Sequence, residues 1–308
     1  MLNYIDGKIG IKRRHRLTLL LMALPFVIFV FIFFYVPLFG WVYAFYNFMP
    51  GRPFSQLEFT GFRWFTLAFT GTSPVLNVLR NTLVLSGLRL FVSVLPMFFA
   101  IFISEVRFKR VSRFTQTIST LPNFLSWVTI YAVFFAIFAP GDGLLNLALN
   151  ALGHRGMPAN ILIDADRAWF FQTSATVYKE IGFSAIIYLA AINGIDPEQY
   201  DAASVDGANR IQRIWFITIP NLMQTFFVLL ILGIGNMLNT GFDQYFVFAN
   251  SFTLPRLDVL DTYIYRIGIL QNNYSLGTAI GIMKSLVSIT LLFSANRLSK
   301  WIRGNPIF

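Results

Sequence analysis

The sequence predicts an all-α membrane protein: one membrane domain over residues 1–308 with about six transmembrane helices. Three observations carry this. The chain is 56% hydrophobic and only 12% charged, whereas a soluble domain carries about 25% charged residues. Six segments are apolar over the roughly 20 residues that a spanning helix needs. Lys and Arg collect between alternate segments, as expected when one membrane face is cytoplasmic.

The spans follow in order. Leu17 to Tyr46 holds no charged residue over 30 positions, longer than the apolar core of about 7–15 residues in a signal peptide. It is therefore read as a retained span despite the preceding Lys-Arg-Arg-His-Arg. Asn81 to Ser104 is interrupted only by Arg89, and Phe114 to Gly141 is uncharged between Arg113 and Asp142. Ala168 to Ile195 contains only Lys179 and Glu180, Ile214 to Phe242 is uncharged, and Ser275 to Asn296 contains Lys284. Pro25, Pro37, Pro96 and Pro122 fall inside spans and are read as kinks whose freed carbonyls neighbouring helices satisfy. In the outer loop 140–167, a Gly-Asp-Gly turn followed by Leu144, Leu145, Leu147, Leu149 and Leu152 predicts a short interfacial helix.

With the N-terminus inside, the segments 1–16, 105–113, 196–213 and 297–308 hold 14 of the 24 basic residues, and the outer loops hold seven. The net charge of +10 is then mainly a topology signal, and nucleic-acid binding loses its support. The expected location is the cytoplasmic (inner) membrane of a prokaryote, multi-pass, with a basic tail over 1–16 and both termini cytoplasmic. With no Cys in the chain, disulfides, thiolate metal sites and a cysteine nucleophile are excluded. His15 and His154 are too far apart in sequence to suggest a histidine metal site, so no metal or catalytic residue is expected. The absence of GxxxxGK[ST], GxSxG and HExxH motifs places any ATP chemistry on another chain.

Residues 196–219 form a polar interruption between two spans. Asp196 suits a helix N-cap, Pro197 the first helical position, and Gln199 the far side of a capping box. Gly207 suits a break at positive φ. A second helix is expected over Ala208 to Thr218 at the inner interface, with Pro220 where the next span begins. Asp201-Ala202-Ala203, three residues, Gly207, nine residues, Ile217, one residue, Ile219-Pro220 closely resembles the EAA signature of ABC-importer membrane subunits. It departs from that signature by Asp for Glu at 201 and Ile for Leu at 219. The run YDAASVDGA over Tyr200 to Ala208 is similar to the carbohydrate branch of the family. Tyr35 to Tyr46, Asn81-Thr82-Leu83, Gly143 to Asn146 and Asp261 to Arg266 resemble its complex-polysaccharide group.

The resemblance implies a coupling helix in which Glu198, Tyr200, Asp201, Ala202, Ala203, Asp206 and Gly207 dock on an ATPase. It further implies a second permease subunit, two ATP-binding subunits carrying ATP and Mg, and an extracytoplasmic solute-binding protein that delivers sugar. The chain itself would catalyse nothing and hold no cofactor.

A charge at mid-bilayer costs about 2.5–3.5 kcal/mol on insertion scales, so intramembrane ions are functional candidates. Arg89, Lys179 and Glu180 are read as substrate-pathway residues, set against structural roles as an interhelical salt bridge or an interfacial pair. Lys284 is read as snorkelling. Matching the family backwards from Asp201 places Lys179, Glu180 and Phe183 near the sugar cavity. Gly233, Asn236 and Thr240 recur at i, i+3 and i+7 with Asn239 beside them, suited to sugar hydroxyls or to interhelical hydrogen bonds. Gly277 and Gly281 suggest close helix packing. Three intramembrane cations against one acid point to an acidic, uronate-containing oligosaccharide. The alternatives are a neutral oligosaccharide or other solute, an intramembrane glycan or lipid transferase, or a passive channel. A transferase would need paired acids or a metal set where Glu180 stands alone.

Overall fold

A computed structural model describes residues 18–70, 74–139, 142–153 and 160–303, without the side chains of 298, 299 and 301–303. The basic tail 1–16, both histidines and Gly141 of the expected outer turn lie outside the described residues. The helices in order are α1 (Thr18–Phe45), α2 (Arg63–Leu67), α3 (Val75–Val92), α4 (Leu95–Ser104), α5 (Lys109–Thr120) and α6 (Trp127–Phe138). They continue with α7 (Leu144–Ala151), α8 (Ala168–Asn193), α9 (Pro197–Val205), α10 (Arg210–Gly235), α11 (Phe242–Phe248), α12 (Leu254–Leu257), α13 (Leu260–Tyr265) and α14 (Tyr274–Arg303). Among the described residues the only β feature is an isolated bridge between Tyr46 and Phe59.

Five helical stretches are long and apolar enough to cross a membrane, and a sixth span is obtained if one bent pair is counted. That pair is the expected third span. Instead of a kinked helix, Lys109–Phe124 and Trp127–Phe138 meet at 107°. Pro122 sits in the short 3-10 turn Leu121–Phe124, and Ser126 starts α6 afresh by accepting the Thr129 amide at 3.2 Å. α7 occupies the position predicted for the outer-loop helix.

The contacts of the chain group into two compact units. The first comprises the chain through Ala68 with Ile267–Ile282. Its core is Ala44, Ala279 and Ile282 against Phe45, Trp64 and Phe65. The Ser275 hydroxyl donates to the Tyr46 carbonyl at 2.7 Å and accepts the Phe48 amide at 2.9 Å. Gly277 lies opposite Gly268, with its Cα 3.8 Å from where a Gly268 Cβ would stand, whereas a Gly281 Cβ would meet nothing within 4 Å.

The second unit, Phe69–Arg266 with Met283–Phe308, carries the 196–219 segment and the ions Arg89, Lys179, Glu180 and Lys284. Two clusters hold it. Met97, Ala100 and Ile101 of α4 pack against Ala185 and Tyr188 of α8 and Leu222 of α10. Leu85 of α3, Ile130 of α6 and Tyr245 and Phe248 of α11 form the other, ringed by Trp127, Tyr131, Phe134 and Phe138. Several buried polar groups of this unit are paired within it, as a bilayer favours. The Gln244 amide donates to both the side-chain and backbone oxygens of Gln172, at 2.9 and 3.0 Å, and accepts from Thr176 at 3.1 Å. Asn81 donates to the carbonyls of Pro255 and Asp258 at 3.0 and 3.1 Å. Burial pushes the Asp258 carboxyl above the usual carboxylate range, opposed by its ion pair with Arg266 and its bond from Thr262.

Two sequence expectations change here. Residues 208–218 do not form a separate interfacial helix, because α10 runs unbroken from Arg210 through Pro220 to Gly235. Its passage through Pro220 includes a π-helical turn at Ile214–Thr218, which suits a residue that cannot donate to the ladder. The fifth span also stops at Gly235 and does not continue as a helix to Phe242. Asn236–Thr240 is irregular, and Gly241 turns the chain at φ +99° into α11.

Candidate functional site

The first candidate element is α9 with its turn. Asp196 caps α9 by accepting the Glu198 amide at 3.0 Å, with Pro197 at the first position. Gln199 takes no part in a capping box and accepts from the Asn221 amide at 3.3 Å. After Val205 the chain turns through Gly207 at φ +77°, with the Gly207 amide on the Ser204 carbonyl at 3.1 Å and the Ala208 amide on the Ala203 carbonyl at 2.9 Å. Asn209, which sequence reasoning missed, then caps α10 in a capping box with Gln212. Its Asn-x-x-Gln spacing is the signal that was available.

This geometry splits the docking candidates into two faces. Tyr200 and Ala203 are half-buried, and the Tyr200 hydroxyl pairs with that of Thr218 at 2.9 Å, tying α9 to α10. Arg213 donates to the Ser204 hydroxyl at 3.2 Å, and Arg210 pairs with Glu105 beyond α4. Glu198, Asp201, Ala202, Asp206 and Gly207 are exposed, as is Val205 at 88%. A short helix is thereby held at its back while it presents acidic and small residues outward.

The second candidate element lies among α3, α8 and α10. Arg89 Nη2 donates to both Glu180 carboxylate oxygens, at 2.9 and 2.8 Å, and the two side chains are 47% and 32% exposed. Arg89 lines two neighbouring hollows. One, of about 210 Å³, is walled by Thr176, Glu180, Ser184 and Tyr188. The other, of about 330 Å³, is walled by Ser86, Gly233, Asn236, Asn239 and Thr240. The last four come together because the chain leaves the helix after Gly235, not because they share a helix face. A Cβ on Gly233 would stand 2.8 Å from a Leu90 methyl, so the glycine lets α10 approach α3. Asn236 donates to the Leu232 carbonyl at 3.1 Å. Thr240 is 5% exposed, and its buried hydroxyl has no partner among the described residues.

Lys179 is placed elsewhere. It is 8% exposed, and its ammonium donates to the carbonyls of Pro122, Asn123 and Leu125, the first two at 3.2 and 2.8 Å. Phe183 packs edge-on against Phe124 at 6.4 Å between ring centres. Neither lines the two hollows. Lys284 does not snorkel, because it pairs with Asp261. Ser86 and Thr176 were missed. Each stands one helical turn before an ion that was singled out, Arg89 and Glu180, and that spacing marks a shared face.

These features have close counterparts. A family model described as "Binding-protein-dependent transport system inner membrane component" matches residues 92–304. Protein LplB of Bacillus subtilis is 38% identical over 99% of this chain and 94% of its own length. The polygalacturonan/rhamnogalacturonan transport system permease protein YteP of the same organism is 36% identical over 94% of this chain and 90% of its own. Among solved structures, a bacterial alginate ABC transporter in complex with an alginate pentasaccharide-bound periplasmic protein is similar, with a TM-score of 0.86 and 33% identity. The match covers 96% of this chain and 98% of that one.

Proposed function

Because the chain belongs to the binding-protein-dependent transport system inner membrane components, we propose that it is half of the translocation pathway of an oligosaccharide importer. It is a sugar ABC importer permease, and the family is one of transport, not of catalysis. In our reading it pairs with a second, different permease subunit and two ATP-binding subunits that carry ATP and Mg. An extracytoplasmic solute-binding protein hands it the sugar. Both termini face the cytoplasm, and alternating access is driven through α9.

The preferred substrate is an acidic oligosaccharide. The observation that carries this is the half-exposed guanidinium of Arg89 at the junction of the two hollows. Glu180 occupies only Nη2, and no bond from Nε or Nη1 is found among the described residues. An arginine with a free donor edge is suited to receive a second carboxylate. Asn236, Asn239 and the unpartnered Thr240 hydroxyl would take sugar hydroxyls beside it, with Gly233 and Glu180 forming the walls. The count of intramembrane cations no longer supports the reading, since Lys284 and Lys179 are already engaged. The similarity to a bacterial ABC transporter involved in the import of the acidic polysaccharide alginate supports it independently.

The test is the ATPase rate of the complete reconstituted complex with its binding protein, measured across size-matched neutral and uronate-containing oligosaccharides. Stimulation by the acidic set is expected. Stimulation confined to neutral sugars would refute the acidic substrate while leaving import intact.

A further inference from the structure

Lys179 lies near the middle of α8, about 17 Å from its start and about 21 Å from its end by helical rise. At that depth a break in a neighbouring span withdraws carbonyls from helical pairing where no water is at hand. The break between α5 and α6 is such a place, and its 107° bend turns three carbonyls, of Pro122, Asn123 and Leu125, onto one ammonium. Lys179 also stands 5.5 Å from the Trp127 ring, the first residue of α6. One turn further along α8, Gly182 meets α5 directly, since a Cβ there would stand 2.2 Å from the Ser119 carbonyl oxygen. α8 is therefore held to both arms of the bend within one turn.

The contrast with Glu180 is informative. Adjacent helix positions point about 100° apart, so the two ions engage different elements. Glu180 forms a partly exposed pair with Arg89 of α3, whereas Lys179 is buried with carbonyl partners on the bend. A pair open to water separates at little cost, but withdrawing the buried ammonium takes their donor from the Asn123 and Leu125 carbonyls, while the Pro122 carbonyl keeps the Leu125 amide at 3.2 Å.

We infer that Lys179 is a positioning residue that pins the Leu121–Ser126 elbow to α8, so that displacement of the coupling helix α9 is carried through α8 to α6. α8 leads into α9 within a few residues, at Asp196. At its far side the pinned α6 delivers Trp127, Tyr131, Phe134 and Phe138 to the cluster with Tyr245 and Phe248 of α11. The inference goes beyond the sugar reading and does not depend on which sugar is carried.

The experiment uses the complete complex in lipid, with Lys179→Met, which removes every donor, and Lys179→Arg, which keeps charge and donors. Backbone hydrogen exchange over residues 121–130 reads the elbow directly. The Met variant is expected to exchange there about tenfold faster, because the local opening loses its pin. Its uptake turnover per assembled complex should fall about tenfold at unchanged KM, with less sugar moved per ATP, and Arg should recover part of both. Unchanged exchange over 121–130 would overturn the inference. So would a raised KM at preserved turnover, which marks a sugar contact, or reduced assembly with normal turnover per complex, which marks a purely structural role. If the Met variant does not assemble, Lys179→Gln, which drops the charge and is too short to reach all three carbonyls, decides by the same three readings.

Discussion

Arg89 and Glu180 meet across α3 and α8 through a single guanidinium nitrogen, which reaches both carboxylate oxygens at 2.9 and 2.8 Å. As an exposed pair it contributes little to stability, about 0–1 kcal/mol. Its weight is in the charge that each partner leaves available at the junction of the two hollows. Glu180→Gln should tighten capture of an acidic sugar by removing the competing carboxylate. Arg89→Gln should raise KM for that sugar by roughly 10–100-fold, the value of a hydrogen bond to a charged group, and leave a neutral sugar nearly unaffected. Uptake kinetics of the two variants on paired sugars check this. Equal losses on both sugars would remove Arg89 from substrate selection.

At Gly207 conformation and space can be separated. Its φ of +77° is in the left-handed region, yet a Cβ there would meet nothing within 4 Å. Gly207→Ala should therefore cost only backbone strain, about 1–2 kcal/mol at the turn, and slow coupled uptake modestly. Gly207→Trp adds bulk to the outward tip of α9. It should leave insertion intact while ATP hydrolysis ceases to drive transport. Normal substrate-stimulated hydrolysis in the Trp variant would count against docking at this turn.

The fold and the coupling segment were legible because they rest on local or periodic signals. Apolar length sets the spans, and Asp196, Pro197 and Gly207 punctuate α9 in residue types with one dominant use. What escaped depended on partners distant in sequence. Pro122 announces a disturbance, but the 107° break exposes carbonyls that are met by a donor 57 positions away, the Lys179 ammonium. Lys179 itself looked like a sugar contact because an intramembrane cation reads the same whether it meets a ligand or buried carbonyls. Gly233, Asn236, Asn239 and Thr240 were grouped by helical spacing, and they do line one hollow. The cause is a chain that leaves the helix after Gly235. Gly182 gave no signal at all, since a glycine in a span is silent until the backbone that it meets is known.

That contact gives a sharp stability test. A Cβ at position 182 would stand 2.2 Å from the Ser119 carbonyl oxygen and 2.3 Å from its carbon, both backbone atoms that no rotamer change can move aside. Gly182→Ala should force α5 and α8 apart, at the cost of overpacking a tight core, about 1–3 kcal/mol. A lowered unfolding temperature of the purified complex is expected, with Gly182→Leu failing to assemble. An unchanged unfolding temperature for the Ala variant would mean that the two helices do not touch there.

Thr240 offers the cleanest separation of binding from folding. Its hydroxyl is buried without a partner among the described residues while it lines the hollow that Arg89 opens onto. An unsatisfied buried hydroxyl is a liability of about 1–3 kcal/mol, so Thr240→Val, which keeps the shape, should hold or slightly raise stability. If sugar supplies the missing partner, the same variant should raise the uptake KM about 5–10-fold, the value of one neutral hydrogen bond. Thr240→Ser keeps the hydroxyl and should stay near wild type. A Val variant whose KM is unchanged would show that the hydroxyl waits for something other than the transported sugar.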